Sequence, residues 1–415
     1  MKHALFVLAI FLFVSCSVSA QEIFTTRIKG LRVNGDASDR FPVAGLNSDT
    51  VTIEFDLDSS QPEDFRIKFY HCERDWAVTQ NQFINDEMRN TTKFPIPFEH
   101  APSGVEHYTY HYTLRVPGFA GVEHFNYSGN YIFEIWDRDQ STLLAKGRFF
   151  IVEQRVPLSM TIKNRQLPSV GIPFNQVNKI ELNVSVPEDA TMGSDQISTS
   201  LVRTIDVYRN REFHSPHRIE IDDNDPNTFI DGLGTNNLKF IIDNIQPGNE
   251  YRHLDLTDVD YYPPNQLSRN RDGADVGRIF HQGQPDNNGE SIVSTDSRYS
   301  DYVRFQFELD RESDDLSPLY VVGDFNDWAT GDAWKMNYDK TTQRYLLQCE
   351  LRRGVYDYQY VCNGTDWGAV EGNDWRTINQ FTALLYYHDI RFGGFDRIIG
   401  FAQQSSPGGT EATTK

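Results

Sequence analysis

The 415 residues include only five methionines and four cysteines, and no basic run longer than Arg352-Arg353. Lys and Arg number 39 against 59 Asp and Glu, a formal charge of −20. Nucleic-acid binding rests on clustered positive charge that displaces counterions from phosphates, so the composition excludes nucleic acid as a partner. It disfavours adhesion to an anionic lipid face for the same reason. No Gly-rich phosphate loop, GxSxG or HExxH string occurs. No CxxC or paired Cys/His spacing suggests zinc. Long helical amphipathic periodicity is nearly absent. What is plentiful is aromatic: twenty Tyr and twenty-eight Phe, residues that pack well on a pleated sheet. The length suits roughly two to four domains at ~100–200 residues each.

Residues 1–20 read as a secretory signal peptide. Lys2 precedes an apolar run from Ala4 to Val14, and Ser17-Val18-Ser19-Ala20 supplies small residues for cleavage. The run is too short to cross a ~30 Å hydrocarbon core as an ordinary helix, and no later stretch approaches spanning length. The exported chain then begins at Gln21 and is soluble. A rival reading takes Phe13-Val14-Ser15-Cys16 as a lipobox, which would leave a lipidated Cys16 at the start. Cleavage after Ala20 leaves Cys72, Cys349 and Cys362, an odd number, so at least one thiol is free or pairs with another chain. Cys349 and Cys362 flank a tight turn at Arg353-Gly354. They are either a disulfide across a hairpin or two small buried hydrophobes.

Period-2 alternation organises the rest as an all-β chain of immunoglobulin-like, early-set β-sandwiches. A first domain, 21–155, holds strands at Val51–Leu57, Phe65–Tyr70, Tyr108–Val116, Asn130–Trp136 and Arg148–Val152. Val156-Pro157 reads as a linker. A middle domain, 156–298, holds strands at Leu158–Ile162, Lys179–Val186, Thr204–Tyr208, Leu238–Ile242 and Tyr251–Leu256. Its 261–297 stretch is rich in Pro, Gly, Asn and Asp and reads as long loops. A third domain, 299–402, holds Tyr302–Leu309, a strand from Leu319, a hairpin of Tyr345–Leu351 with Tyr356–Cys362, and Phe381–Tyr387. Residues 403–415 are rich in Gln, Ser, Pro, Gly and Thr and read as a disordered tail.

Three strings gather polar groups. His71-Cys72 could be base and nucleophile, but neighbouring strand residues point to opposite faces. The plainer reading is a strand end with Trp76 folding back as a core anchor. The acidic run Asp222–Asn227 has the composition of a calcium loop. It lacks the Gly at the sixth and the Glu at the twelfth position of an EF-type loop, and reads as an acidic turn. The string Val322–Trp328 (VGDFNDW), with Tyr356–Gly364, resembles the early-set modules that bind glycogen and starch. That resemblance implies a sugar platform at Trp328, Gln359 and Trp367. Gln359 stands where those modules carry Lys, and Asp366 intervenes before Trp367. The alternative is a shared fold in which Trp328 packs.

A second resemblance spans the chain. It is carried by Phe65–Trp76 (FRIKFYHCERDW), Ser128–Tyr131, Arg148–Glu153 (RFFIVE), Gly248–Asp255 (GNEYRHLD), Val321–Asp324, Tyr356–Asn363, Glu371–Asn373, Leu385–Tyr387 and Phe395–Gly400 (FDRIIG). In this order the blocks resemble the plug protein family of the type IX secretion system, the outer-membrane export machine of Bacteroidetes. The departures fall mostly in variable loops, notably 265–297. The resemblance implies a non-catalytic periplasmic protein without cofactor. It would close the idle pore of the translocon, a large outer-membrane β-barrel, and meet the membrane only through protein contacts. The alternative function is periplasmic or surface α-glucan binding.

Overall fold

The structure is a computed structural model that describes residues 21–36, 41–167, 176–192, 195–212, 215–221, 225–279, 286–293 and 300–408. The signal peptide with Cys16, the first three residues of the acidic turn at 222–227, and residues 409–415 lie outside these. Strands dominate, and Gly368–Glu371 is the only α-helix among the described residues. Six of the seven sheets pair face to face into three sandwiches, each around its own apolar core.

In the first sandwich the sheet Glu22–Ile23, Leu143–Val152, Gly129–Asp137, Phe65–Cys72 has Val43–Gly45 running parallel along Leu143–Val152. It faces the sheet Ile28–Gly35, Val51–Leu57, Tyr110–Val116, Phe98–His100. Alternation turns Val51, Ile53, Phe55 and Leu57 inward, and all four are fully buried. Phe55 stacks on Tyr112 at 5.0 Å, with Phe65 edge-on to both. Asp56 lies on the outer face of the same strand yet is also fully buried, so another body covers that face.

The second sandwich sets Leu158–Gln166, Gln176–Ser185, Asn237–Ile245 and Thr228–Asp231 against His217–Glu220, Val202–Arg209, Gln380–Asp389 and Phe395–Ser405. Its last two strands come from the C-terminal end of the chain. Phe381, Ala383, Leu385 and Ile399 share a core with Ile180, Leu182 and Phe240. The third sandwich joins Arg252–Asp255, Ile292–Val293 and Leu319–Gly323 to Gly354–Cys362. Opposite lie Leu267–Arg269, Tyr302–Asp310, Arg344–Arg352 and Asn337–Asp339.

These pairings move the sequence boundaries. The change at 298/299 falls inside the third sandwich, whose strands already begin at Arg252, while 380–405 return to the second. Period-2 alternation marks a strand and its inner face; it does not name the partner strand. Val156-Pro157 is not a loose linker. Val156 is buried, and Glu153, Arg155 and Val156 donate backbone bonds to Ile398 and Ile399 at 2.9–3.1 Å. The tail is ordered further than its composition suggests. Gln403–Ser405 close the ladder with Gln380–Thr382, and buried Ser406 exchanges bonds with Asn379.

The hairpin across Arg353-Gly354 is likewise corrected. Arg344–Arg352 pairs with Tyr302–Asp310, whereas Gly354–Cys362 belongs to the opposing sheet. At Arg353 the chain crosses between sheets, and its buried guanidinium binds the carbonyls of Leu256 and Tyr262. Cys349 and Cys362 therefore sit in different sheets, and with Cys72 they are free thiols. Burial pushes the Cys362 thiol up to about 11.

Candidate functional site

Buried polar groups cluster where the sandwiches meet. Between the first and third, Asp56 accepts from the Tyr302 hydroxyl at 2.8 Å and from an Arg352 guanidinium nitrogen at 2.6 Å, and faces His111 Nδ1 at 2.7 Å. Arg352 also donates to the Tyr108 hydroxyl at 3.0 Å. Asp301 accepts the backbone N–H groups of Glu106 and His107. Burial pulls the His111 pKa down, but its bonds to Asp56 and Glu54 carry it above the usual imidazole value. Gly30 makes this approach possible. Its φ of +55° suits glycine, and a Cβ there would meet the Tyr302 hydroxyl.

Between the first and second sandwiches Phe41, Phe150, Tyr208 and Tyr386 form a buried aromatic cluster with Leu384 and Ile398. Around it Asp396 accepts the Arg74 N–H at 3.2 Å, and its own N–H donates to Glu73 at 2.8 Å. Asn130 donates to the carbonyls of Glu73 and Arg74 and accepts from the Tyr386 hydroxyl. Glu153 accepts from Ser128 and pairs with Arg397. Within the third sandwich Glu371 takes Arg252 at 3.0 Å, Arg278 and the N–H of Tyr360. The sequence blocks quoted above thus come together in space as buried polar knots.

The predicted sugar platform is brought together but not exposed. Trp328 is fully buried, lies 4.3 Å from the Tyr251 ring and donates from Nε1 to Gly289 O at 3.2 Å. Gln359 is buried and donates to Glu212 at 3.3 Å. Trp367 is half-buried beneath the Arg209 guanidinium at 4.9 Å. Gln359 and Trp367 meet the second sandwich at Glu212 and Arg209, while Trp328 packs within the third, so the ring face that a sugar would need at Trp328 is taken up by packing.

His71 and Cys72 are both buried. His71 lies between Thr79 Oγ1 and Ser128 O, and burial pushes its pKa down to about 4. Burial pushes the Cys72 thiol up to about 12. A neutral imidazole enclosed by hydrogen bonds and a protonated thiol make neither a base nor a nucleophile at neutral pH. Trp76 folds back edge-on to Phe150 at 5.2 Å, with the Arg148 guanidinium 4.4 Å from its ring. Among the described residues no group of three His, Cys, Asp or Glu side chains could hold a metal ion.

Sequence reasoning missed Asp327. Its carboxylate is fully buried with no hydrogen-bond partner among the described residues. Arg211 of the second sandwich, Arg148 of the first and its neighbour Asp324 act on it electrostatically. Burial dominates and pushes its pKa up to about 8. Between about pH 4 and 8 the folded chain holds a proton that the unfolded chain has released, so this group's contribution to stability falls as pH rises through that window. Asp327→Asn should therefore be more stable than the parent at pH 8.5 by several kcal/mol, with ~1.4 kcal/mol per unit of pH as the upper slope. The advantage should vanish near pH 4. Parallel stability profiles from urea unfolding across pH 4–9 would contradict this.

On the outer surface of the first sandwich Phe94, Phe98 and Phe119 are exposed along one shallow groove of about 620 Å³. No helix among the described residues is long and apolar enough to cross a membrane.

No curated protein sequence matches the chain. A crystal structure of a hypothetical protein from Parabacteroides merdae superposes with a TM-score of 0.74 at 20% identity, covering 94% of this chain and 99% of that one. That likeness shows the fold. The BSP domain of a biofilm associated protein reaches a TM-score of 0.18 at 7% identity, over 92% of this chain and 59% of that one, and carries no argument. A family model described as the type 9 secretion system plug protein 1st domain matches residues 28–153, the first sandwich. The first sandwich therefore belongs to the type 9 secretion system plug protein family.

Proposed function

We propose that this protein is a periplasmic plug, which closes the idle outer-membrane translocon pore of the type IX secretion system by protein–protein contact and without catalysis. The observation that carries the reading is the family match over residues 28–153. The build of the molecule supports it. A closure must resist deformation, and here buried ion pairs join the three sandwiches pairwise, with an aromatic core shared by the first and second. Packed interiors transmit load with little compression. Export through the signal peptide supplies the periplasmic address, and the membrane is reached through the translocon barrel alone. The α-glucan reading is disfavoured because stacking on sugar needs an open ring face, and Trp328 has none.

The direct test is affinity capture of the tagged protein from detergent-solubilised outer membranes of cells holding an idle translocon. The translocon barrel should co-elute in near-stoichiometric amount. Its absence from the eluate, with the barrel intact in the input, would reject the assignment.

A further inference from the structure

Residues 286–291 form a short strap over Trp328 in the third sandwich. Gly289 rests on the indole: its carbonyl accepts from Trp328 Nε1 at 3.2 Å, and a Cβ there would come within 2.8 Å of the ring. Its φ of +86° suits glycine as well. Beneath it the Tyr251 ring lies 4.3 Å from Trp328, and both side chains are buried. Ile292–Val293 then joins the ladder of Gly354–Cys362.

Carboxylates hold the strap down. Asp357 Oδ2 accepts the N–H groups of Asn287 at 2.7 Å and Gly289 at 3.0 Å. Asp324 Oδ2 accepts the N–H of Ser291 at 3.2 Å. Asp286 donates its N–H to Glu250 at 3.3 Å, and its own carboxylate accepts the N–H groups of Tyr251 at 2.5 Å and Asn288 at 2.7 Å. Glu250, Asp286 and Asp357 thus gather three carboxyl groups under one short segment. Asp357 is fully buried, and its Oδ1 has no hydrogen-bond partner among the described residues, with His253 Nδ1 3.6 Å away.

The charges acting on Asp286 come from every side. Glu250 precedes Arg252–Asp255 and Asp357 lies in Gly354–Cys362. The cations are Arg209, at the end of Val202–Arg209, and His253. Arg209 is engaged by Glu212 at 2.6 Å, and more than half of the His253 side chain is in solvent. Burial first, then Glu250 and Asp357, push the Asp286 pKa up to about 7. A lifted strap returns this carboxyl to water and to the ordinary value of ~4. The closed strap therefore keeps a proton that the open one releases between about pH 4 and 7, and closure weakens as pH rises through that window.

We propose that the strap is a proton-controlled latch: Glu250, Asp286 and Asp357, buried together, keep it closed over Trp328 and Tyr251 in acid, and its opening toward neutral pH uncovers the two rings. The latch is independent of the plug reading and survives its failure.

The test is hydrogen exchange of the full exported chain in half-unit steps from pH 5 to pH 8, corrected for the intrinsic pH dependence of amide exchange. Protection of the 286–291 amides relative to Val51–Leu57 should fall by roughly tenfold or more, mostly below pH 7. The Trp328 indole N–H should lose protection in step. In Asp286→Asn the ratio should change by less than about threefold, because no proton is exchanged there. If circular dichroism shows that Asp286→Asn is not folded, Glu250→Gln is read instead. With one facing charge removed, its fall should level off at least half a pH unit lower. Strap protection that keeps step with Val51–Leu57 at every pH would overturn the proposal. So would a fall in folded Asp286→Asn as large as the parent's, or a Glu250→Gln profile that levels off where the parent's does.

Discussion

Arg352→Met should destabilise the protein by about 3–5 kcal/mol, the usual loss when one partner of a buried ion pair is removed. The variant leaves the Asp56 carboxylate, fully buried, facing only the Tyr302 hydroxyl and His111. His111 can supply part of the missing charge while protonated, so the loss should be largest at alkaline pH, where the imidazole is neutral. The double variant Asp56→Leu/Arg352→Met should recover much of the loss, because burying two apolar groups avoids desolvating the pair. Equilibrium urea unfolding of the parent, both single variants and the double variant closes the cycle. A loss below about 1 kcal/mol for Arg352→Met would mean that water reaches the junction and that the first and third sandwiches are not locked there.

Trp328→Ala should cost about 3–5 kcal/mol, the range for truncating a large buried aromatic. The indole is enclosed in the third sandwich by Tyr251, Val322 and Val361, and its N–H has a fixed carbonyl partner. If the sandwiches unfold as one cooperative body, as their pairwise contacts imply, the melting temperature should fall by roughly 4–6 °C for a chain of this length. An unchanged melting temperature together with loss of retention on glycogen or starch would reverse the argument and make Trp328 a sugar platform.

Individual strands were legible in the sequence because alternation reports a half-buried ladder directly. Val51–Leu57 has the same bounds in sequence and structure. Phe65–Tyr70 extends only to Cys72. What alternation cannot encode is the partner. Gln380–Asp389 pairs with Val202–Arg209 across some 170 residues, and Arg344–Arg352 turns away from the strand that follows it. Phe395–Ser405 escaped because Asp396-Arg397 and the Gln403-Gln404 edge interrupt the pattern, although Phe395, Ile398 and Ile399 are fully buried. A disulfide was one of two readings of the cysteines that flank a turn; that turn is a crossing between sheets, which separates the two thiols.

The quoted sequence blocks were legible for a different reason. Charged residues in or beside strands, such as Arg74, Glu153, Arg252 and Asp396, look out of place in a local pattern. In three dimensions they are the buried knots between elements. Asp327 carried no such signal. Its VGDFNDW string drew attention to Trp328 rather than to the carboxylate, whose enclosure beside Arg211 of the second sandwich and Arg148 of the first, both remote in sequence, is visible only in the fold. Likewise the strap over Trp328 takes its acceptors from Glu250, Asp324 and Asp357, each remote from it in sequence.

The central claim is that an exported, non-catalytic body closes an idle pore, and outer-membrane permeability measures that closure directly. Cells lacking the protein should still assemble the translocon and export some cargo, yet become sensitive to vancomycin, a large hydrophilic antibiotic normally excluded. Deleting the translocon as well should restore resistance, since no pore then remains to close. Unchanged permeability in the single deletion, with the translocon shown to be present and idle, would contradict the plug assignment.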